Sequence, residues 1–259
     1  MRRGLLMVAW IAVAAGCSRP DSLAMCGAPP GAPESRIIIY VGGAGDDSLT
    51  FENTGSAAAF RDNAFEEIIF FDWQTGYGLL ADHLAADAYK RAEGSCLAAR
   101  IRSLRSGGAA RISLVGFSAG AAVIVPALEE LGRDERVEEV ALLHPSIAAD
   151  RDLTRAMQGI CGKLAIFTSS RDRLLAHAIP LVGTAEGVFC GDCALGRLGP
   201  LSPHDEPDTL RAYERIDVVE WDARFEAFGN SGDHFDVLAP TFLREVVTSA
   251  FNSSTRCSQ

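Results

Sequence analysis

A chain of 259 residues exceeds the usual size of one domain, yet it lies within the range that α/β folds reach as a single unit. Its composition, 48% hydrophobic, 22% charged and 8% aromatic, excludes wholesale disorder, collagen-like repeats and a multi-span membrane protein. With 34 acidic against 24 basic side chains the net charge is −10, so no nucleic-acid partner is expected and a neutral or cationic small molecule fits better.

Arg2 and Arg3 lead into an apolar run from Leu5 to Ala15 that closes on the small residues Ala14-Ala15-Gly16-Cys17. A basic start, a short apolar run and a small-residue cleavage site predict an export signal over residues 1–16, too short to span about 30 Å of hydrocarbon. The Ala-Ala-Gly-Cys ending resembles the lipobox of bacterial lipoproteins, with Ala14 in place of the commoner Leu. That resemblance implies cleavage before Cys17, acylation of Cys17, and a protein held to a membrane by its acyl chains. Ser18 after the cysteine, in place of Asp, implies the outer membrane. Losing Arg2 and Arg3 takes the net charge from −10 to −12. Residues 17–35, with Pro20, Pro29, Pro30 and Pro33, read as a tether, which leaves 36–259 as one folded domain.

Six short apolar runs rich in β-branched residues follow: Arg36 to Val41, Ile68 to Trp73, Arg111 to Gly116, Val137 to His144, Lys163 to Thr168 and Ile216 to Trp221. They predict buried strands. Apolar residues at helical spacing predict a long helix over Leu79 to Leu104, another over Ala119 to Leu131 and a closing one over Asp236 to Phe251. Pro126 is expected to kink or split the second, because it removes a backbone N–H. The alternation predicts an α/β protein with a mostly parallel central sheet and helices on both faces. Chemistry then belongs at the carboxyl edge of the strands. The segment from His144 to Lys163 is too short for a large cap domain, so a rather open site is expected.

Besides Cys17 the chain holds Cys26, Cys96, Cys161, Cys190, Cys193 and Cys257, an even number that in an exported protein allows up to three disulfides. Fifteen pairings are possible. Cys190 and Cys193 sit in a Gly-rich stretch and not at a helix start after a strand, so they read as a structural bridge and not a redox pair. No Cys or His cluster has zinc spacing, and the acids Asp205, Glu206 and Asp208 read as a solvated loop; no metal is expected.

The third strand runs straight into Gly116-Phe117-Ser118-Ala119-Gly120 and then into a small-residue helix. A sharp strand-to-helix turn of this kind strains the central serine and needs glycines beside it, where a Cβ would strike neighbouring backbone. The helix N-terminus adds a dipole suited to a developing oxyanion. With this motif the chain, from about residue 36 to 252, resembles the α/β-hydrolase superfamily of esterase- and lipase-like serine hydrolases. The resemblance implies the chain order nucleophile, acid, histidine, and no cofactor.

A serine needs a base to take its proton, and the base needs an acid to fix its tautomer. Of the five histidines, His83 falls in the long helix, His177 in or beside another, and His204 in a Pro- and acid-rich loop. His234, in the flexible-looking turn Gly229-Asn230-Ser231-Gly232-Asp233-His234, holds the base position that the superfamily implies. His144 comes too early in chain order and suits a pocket rim. Asp172, just past the fifth strand, is the candidate acid; Asp150 is its rival, since some superfamily members carry the acid one strand earlier, and a helix N-cap is the plain alternative for either. Asp236 reads as the cap of the final helix. The oxyanion hole would take the N–H of Ala119 and that of Gly43 or Ala44, in the loop after the first strand.

These residues point to a carboxylic ester hydrolase acting on a small ester or lipid-like substrate. A non-catalytic binding scaffold remains open, as does an acyltransferase, thioesterase or peptidase with the same triad. Trp73, Tyr77 and the 173–213 segment are candidate walls, the last a candidate flap over the pocket.

Overall fold

The computed structural model describes residues 36–61, 65–109, 111–201, 205–251 and 257. The expected export signal, Cys17, the tether, Cys26 and His204 lie outside the described residues.

The chain begins with β1 (Arg36–Val41), followed by the short helices α1 (Ser48–Asn53) and α2 (Ser56–Arg61) and by β2 (Glu67–Phe71). Two helices come next, α3 (Leu79–Leu84) and α4 (Asp87–Ser106), then β3 (Arg111–Phe117) and α5 (Ala121–Glu130). β4 (Glu139–Leu143), β5 (Leu164–Thr168), α6 (Arg173–Val182), α7 (Leu195–Leu198), α8 (Pro207–Tyr213), β6 (Ile216–Glu220) and α9 (Pro240–Phe242) complete it. All six strands pair in parallel in the order β2-β1-β3-β4-β5-β6.

Alternation along β1 divides the core. Ile37, Ile39 and Val41 face one way, into a cluster with Leu97 and Ile101 of α4 and Val123 and Ile124 of α5. Ile38 and Tyr40 face the other, into a cluster with Phe51, Phe60, Phe242, Leu243, Val247 and Phe251. Helices therefore cover both faces, and the strand order reverses between β1 and β3. At such a reversal the two crossovers leave in opposite directions and open a crevice beyond the strand ends.

The predicted strands appear within one or two residues of their expected ends, whereas the helices differ from expectation in three places. The run Leu79 to Leu104 is two helices, broken where Ala85 and Ala86 are extended at ψ 138° and 145°. The break lets the buried Lys90 ammonium donate to the carbonyls of His83 (2.7 Å), Ala85 (2.8 Å) and Ala185 (2.7 Å). An apolar periodicity that keeps its phase across two residues cannot reveal that interruption.

Pro126 does not split its helix: a turn of 3-10 helix (Ser118–Gly120) leads into α5, which continues unbroken to Glu130. Close packing holds it, for a Cβ on Gly94 of α4 would sit 3.0 Å from Pro126 Cβ and 2.9 Å from the Val123 carbonyl. The closing segment is no single helix either. A 3-10 turn (Asp236–Leu238), α9, a π turn (Leu243–Val247) and a 3-10 turn (Thr248–Phe251) follow one another. Its backbone bends so that Phe242, Leu243, Val247 and Phe251 all reach the sheet. Asp236 accordingly caps no long helix; its carboxylate accepts from the Ser231 hydroxyl.

Candidate active site

β3 and the turn after it lie between β1 and β4, so Ser118 emerges at the centre of the sheet's carboxyl edge. Its φ is +50°, a left-handed conformation that a non-glycine residue holds only where its surroundings impose it. Contact with backbone requires the second flanking glycine, since a Cβ on Gly120 would come within 2.3 Å of the Val41 carbonyl; a Cβ on Gly116 would meet side chains instead, 2.6 Å from the tip of Ile124.

Ser118 Oγ lies 2.9 Å from His234 Nε2, and His234 Nδ1 lies 2.6 Å from Asp172 Oδ2. All three side chains are buried, Ser118 keeping the most exposure at 8%. The structure therefore brings together the serine, histidine and aspartate singled out in the sequence. Asp150 is exposed, away from this chain of contacts.

Asp172 divides its two oxygens between a helix cap and His234. Oδ1 caps α6 by accepting from Leu175 N at 2.8 Å, which leaves Oδ2 for His234. Burial pushes the carboxyl up, but N–H donors from His144, His234 and Leu175 outweigh it and hold Asp172 well below the usual carboxylate range. It is ionised at neutral pH. Its contribution to stability is complete above the ordinary carboxyl range, about pH 4, and is lost only as the pH falls through the lower folded value.

The turn that carries His234 is more firmly held than its composition predicts. Asn230 is buried; its side chain accepts from Gly232 N (2.9 Å) and its carbonyl from Trp221 Nε1 (3.0 Å). Ser169, at the end of β5, donates to the Gly232 carbonyl at 2.6 Å. His144 is not a rim residue. It follows directly on β4 in a left-handed conformation, φ +42°, and its fully buried ring lies behind Asp172, Nδ1 3.3 Å from Asp172 Oδ2.

Gly43 lies directly against the serine: a Cβ there would be 3.2 Å from Ser118 Cβ and 2.9 Å from Phe117 Cδ1. Its loop is braced from a distance. Trp73 Nε1 donates to the Gly42 carbonyl (2.8 Å), Gln74 Nε2 to the Gly43 carbonyl (3.0 Å), and Gly45 N to Asp82 Oδ2 (2.9 Å). The other Asp82 oxygen accepts from Thr75 N at 2.8 Å. The amides of Gly43 and Ala44 take no acceptor among the described residues. Ala119, in the first turn of its helix, has an N–H without an intrahelical acceptor. Asp82, Gln74 and the bracing role of Trp73 escaped the sequence reading; the one signal was a carboxylate set among Leu79, Leu80, Ala81 and Leu84.

Two hollows share Phe235 and Asp236 as walls, and His234 lines the first of them. An open cleft of about 890 Å³ is lined by Leu174, His177, Ala178, Leu181, His234 and Phe235. A more enclosed pocket of about 380 Å³ lies beside Ala44 and Phe117, lined by Tyr40, Phe51, Phe235 and Leu238. Within it Tyr40 donates to Asp46 Oδ2 at 2.8 Å, and burial pushes the Asp46 carboxyl up. Of the candidate walls, Trp73 is buried in the core and Tyr77 is 76% exposed. In the 173–213 segment, α6 forms one side of the cleft.

Disulfides join Cys161 to Cys257 and Cys190 to Cys193, and Cys96 is also disulfide-bonded. The nitrogens of His144 and His234 and the Asp172 carboxylate lie within 4.8 Å of one another, close enough to raise the question of a metal. Ligands around a tetrahedral ion at about 2.0–2.2 Å sit roughly 3.3 Å or more apart. The 2.6 Å between His234 and Asp172 is the span of a shared proton, so these donors do not fit a cation.

The fold is that of the α/β-hydrolases. The chain superposes on Aspergillus fumigatus lipase B with a TM-score of 0.53 and 11% identity, covering 86% of this chain and 54% of that one. It superposes on Bacillus licheniformis lipase BlEst2 in propeptide form with a TM-score of 0.50 and 13% identity, covering 90% and 54%. It is also similar to an esterase of Pyrococcus furiosus, TM-score 0.45 and 13% identity, over 82% and 84%. The chain thus spans about half the length of the two lipases. No protein-family model matches it, and neither does any curated protein sequence.

Proposed function

We propose that this protein is a serine hydrolase of carboxylic esters, tethered to the outer membrane of its cell envelope through a lipid on Cys17. One observation carries the catalytic part: the continuous relay from Ser118 Oγ through His234 to Asp172, at 2.9 and 2.6 Å. The left-handed serine and the braced glycine loop support it. The anchor rests on the sequence of residues 1–17 alone.

In this reading His234 Nε2 takes the Ser118 proton as Oγ attacks the ester carbonyl carbon. Asp172, held ionised, keeps the His234 proton on Nδ1 and stabilises the imidazolium without accepting that proton. The amides of Ala119 and of Gly43 or Ala44 face the oxygen that becomes negative. The C–O bond then breaks, the imidazolium protonates the leaving alkoxide, and the alcohol departs from an acyl-Ser118. Water, deprotonated by His234, releases the acid and restores the serine. The two hollows that share Phe235 offer space near the relay for parts of an ester; Leu174 and Leu181 stand beside Arg173 and Asp233 in one, and Phe51 and Leu238 beside Asp46 in the other.

A fluorophosphonate probe tests the reading: the wild-type protein should be labelled and Ser118→Ala should not. p-Nitrophenyl esters of graded chain length would then define the acyl preference. A well-folded wild type that resists labelling would overturn the hydrolase reading and favour a binding scaffold. Membrane association tests the anchor, which predicts release of the protein on Cys17→Ser.

A further inference from the structure

The relay leaves one buried titratable group unexplained, His144. Its ring is fully buried and its backbone stands in a left-handed conformation, φ +42°. Nδ1 faces two oxygens at once, Asp172 Oδ2 at 3.3 Å and the His234 backbone carbonyl at 3.2 Å. A bare ring nitrogen against a carboxylate and a carbonyl would be repelled by both, so Nδ1 must carry the proton and donate to the pair.

We propose that His144 is a positioning residue for the Ser118–His234–Asp172 relay, a fixed Nδ1–H donor that holds the acid and the backbone of the base in register. The inference rests on the hydrolase reading for its kinetic part. Asp172 then receives three N–H donors, from Leu175 on Oδ1 and from His234 and His144 on Oδ2. With Oδ1 committed to the α6 cap, the carboxylate cannot rotate without breaking several bonds. The second contact acts on the main chain of His234 and so limits how far the imidazole can drift from Ser118.

The site around His144 is built to keep it there. His144 N donates to the Phe167 carbonyl at 3.1 Å, and Ser146 N to the Ser118 carbonyl at 3.1 Å, so the end of β4 is locked to β5 on one side and to the elbow on the other. Gly196 admits the bend, because a Cβ there would lie 2.6 Å from the His144 carbonyl carbon. The charged groups on this cluster are Asp172, His234 when protonated, and Arg197, whose guanidinium donates to the Asp172 carbonyl at 3.0 Å.

The test compares His144→Asn, which tolerates the left-handed backbone and keeps an N–H donor, with His144→Leu, which is of similar size and has none. The leucine variant should lose about ten- to a hundredfold in kcat with KM little changed, as expected for a mis-set relay. The acid limb of its kcat/KM profile should move to higher pH, because Asp172 with one donor fewer draws harder on the His234 proton. The asparagine variant should stay within about threefold of wild type. Equal kinetics and an unmoved pH profile in His144→Leu would overturn the proposal. Two-bond 1H–15N correlation spectra of the wild-type protein give a readout that needs neither substrate nor a stable variant. They should show His144 protonated at Nδ1 at neutral pH, and a bare Nδ1 would overturn the assignment. If fluorophosphonate fails to label the wild type, the hydrolase reading falls while the tautomer measurement still decides the role of His144.

Discussion

Two loops meet at the carboxyl edge of the sheet, and they are fixed in opposite ways. The elbow after β3 is determined within about nine residues: a buried strand, a glycine at 120 that backbone contact requires, and a helix that starts at once. The loop after β1, Gly42 to Gly45, has little of its own to hold it. Trp73, Gln74 and Asp82, some thirty to forty positions away, set its carbonyls and amides. Under the proposed hydrolase reading, Ser118 and the amides of this loop must agree to within about an ångström to be useful, so a locally encoded half depends on a remotely encoded one.

Substitutions can separate the halves. The largest effect is expected from Ser118→Ala, which should lower kcat by about 10⁵ with the melting temperature near wild type, since it removes the nucleophile and little else. Gly120→Ala strikes both loops together. Its Cβ would press on the Val41 carbonyl at 2.3 Å and the Gly42 carbonyl at 2.7 Å, so a loss of about 3 kcal/mol or more in urea unfolding is expected. Asp82→Asn should act on the remote half alone. Replacing one oxygen with an amide sets N–H against N–H at Gly45 or Thr75, and kcat should fall about ten- to a hundredfold with labelling of Ser118 retained but slower. Gln74→Ala, losing its bond to the Gly43 carbonyl and the one it accepts from Trp73 N, should cost tenfold or less by the same assay. If Asp82→Asn left kcat unchanged, the remote bracing would be irrelevant to catalysis and the contrast would collapse.

The bracing has its own support, which gives a pH test. Lys90 ties the end of α3, the helix that carries Asp82, to the Ala185 carbonyl. Burial pushes its ammonium from 10.5 down to about 8, against the pull of Asp87, Asp82 and Glu186. On raising the pH the folded protein therefore releases this proton before the unfolded chain does. The penalty for burying the charge is full below about pH 8 and is relieved between about 8 and 10.5. Lys90→Met leaves three carbonyls unpaired and should be less stable throughout. The gap to wild type should widen across that window by up to about 3 kcal/mol, the worth of the shift, measured by urea midpoints.

The same contrast governs what the sequence discloses. β1, β3, β4 and β5 are buried on both faces, so their apolar runs stand out and their limits are easily placed. Ser118 was legible because strand, glycines and helix are adjacent, and Asp172 and His234 because they follow strand ends in a fixed chain order. Long-range geometry left weaker traces. The break at Ala85 and Ala86 exists to serve Lys90, and the fragmented end of the chain exists to bring four apolar side chains to the sheet. His144 stood out as a histidine at a strand end. Its turn to the rear of the acid follows from a positive φ and from the space Gly196 leaves, neither of which is written in its neighbours.

Because all six strands run the same way, the two edges of the sheet have different occupations. The carboxyl edge carries Ser118, Asp172 and His234. The amino edge receives the chain at Arg36, whose guanidinium donates to the Phe251 carbonyl, and it holds Cys257 by the bridge to Cys161 just before β5. Strands of five to seven residues put roughly 17–23 Å between the edges. The chain thus enters the sheet at the edge away from Ser118. Under the proposed attachment at Cys17, turnover of soluble esters should be the same for the anchored and the released protein.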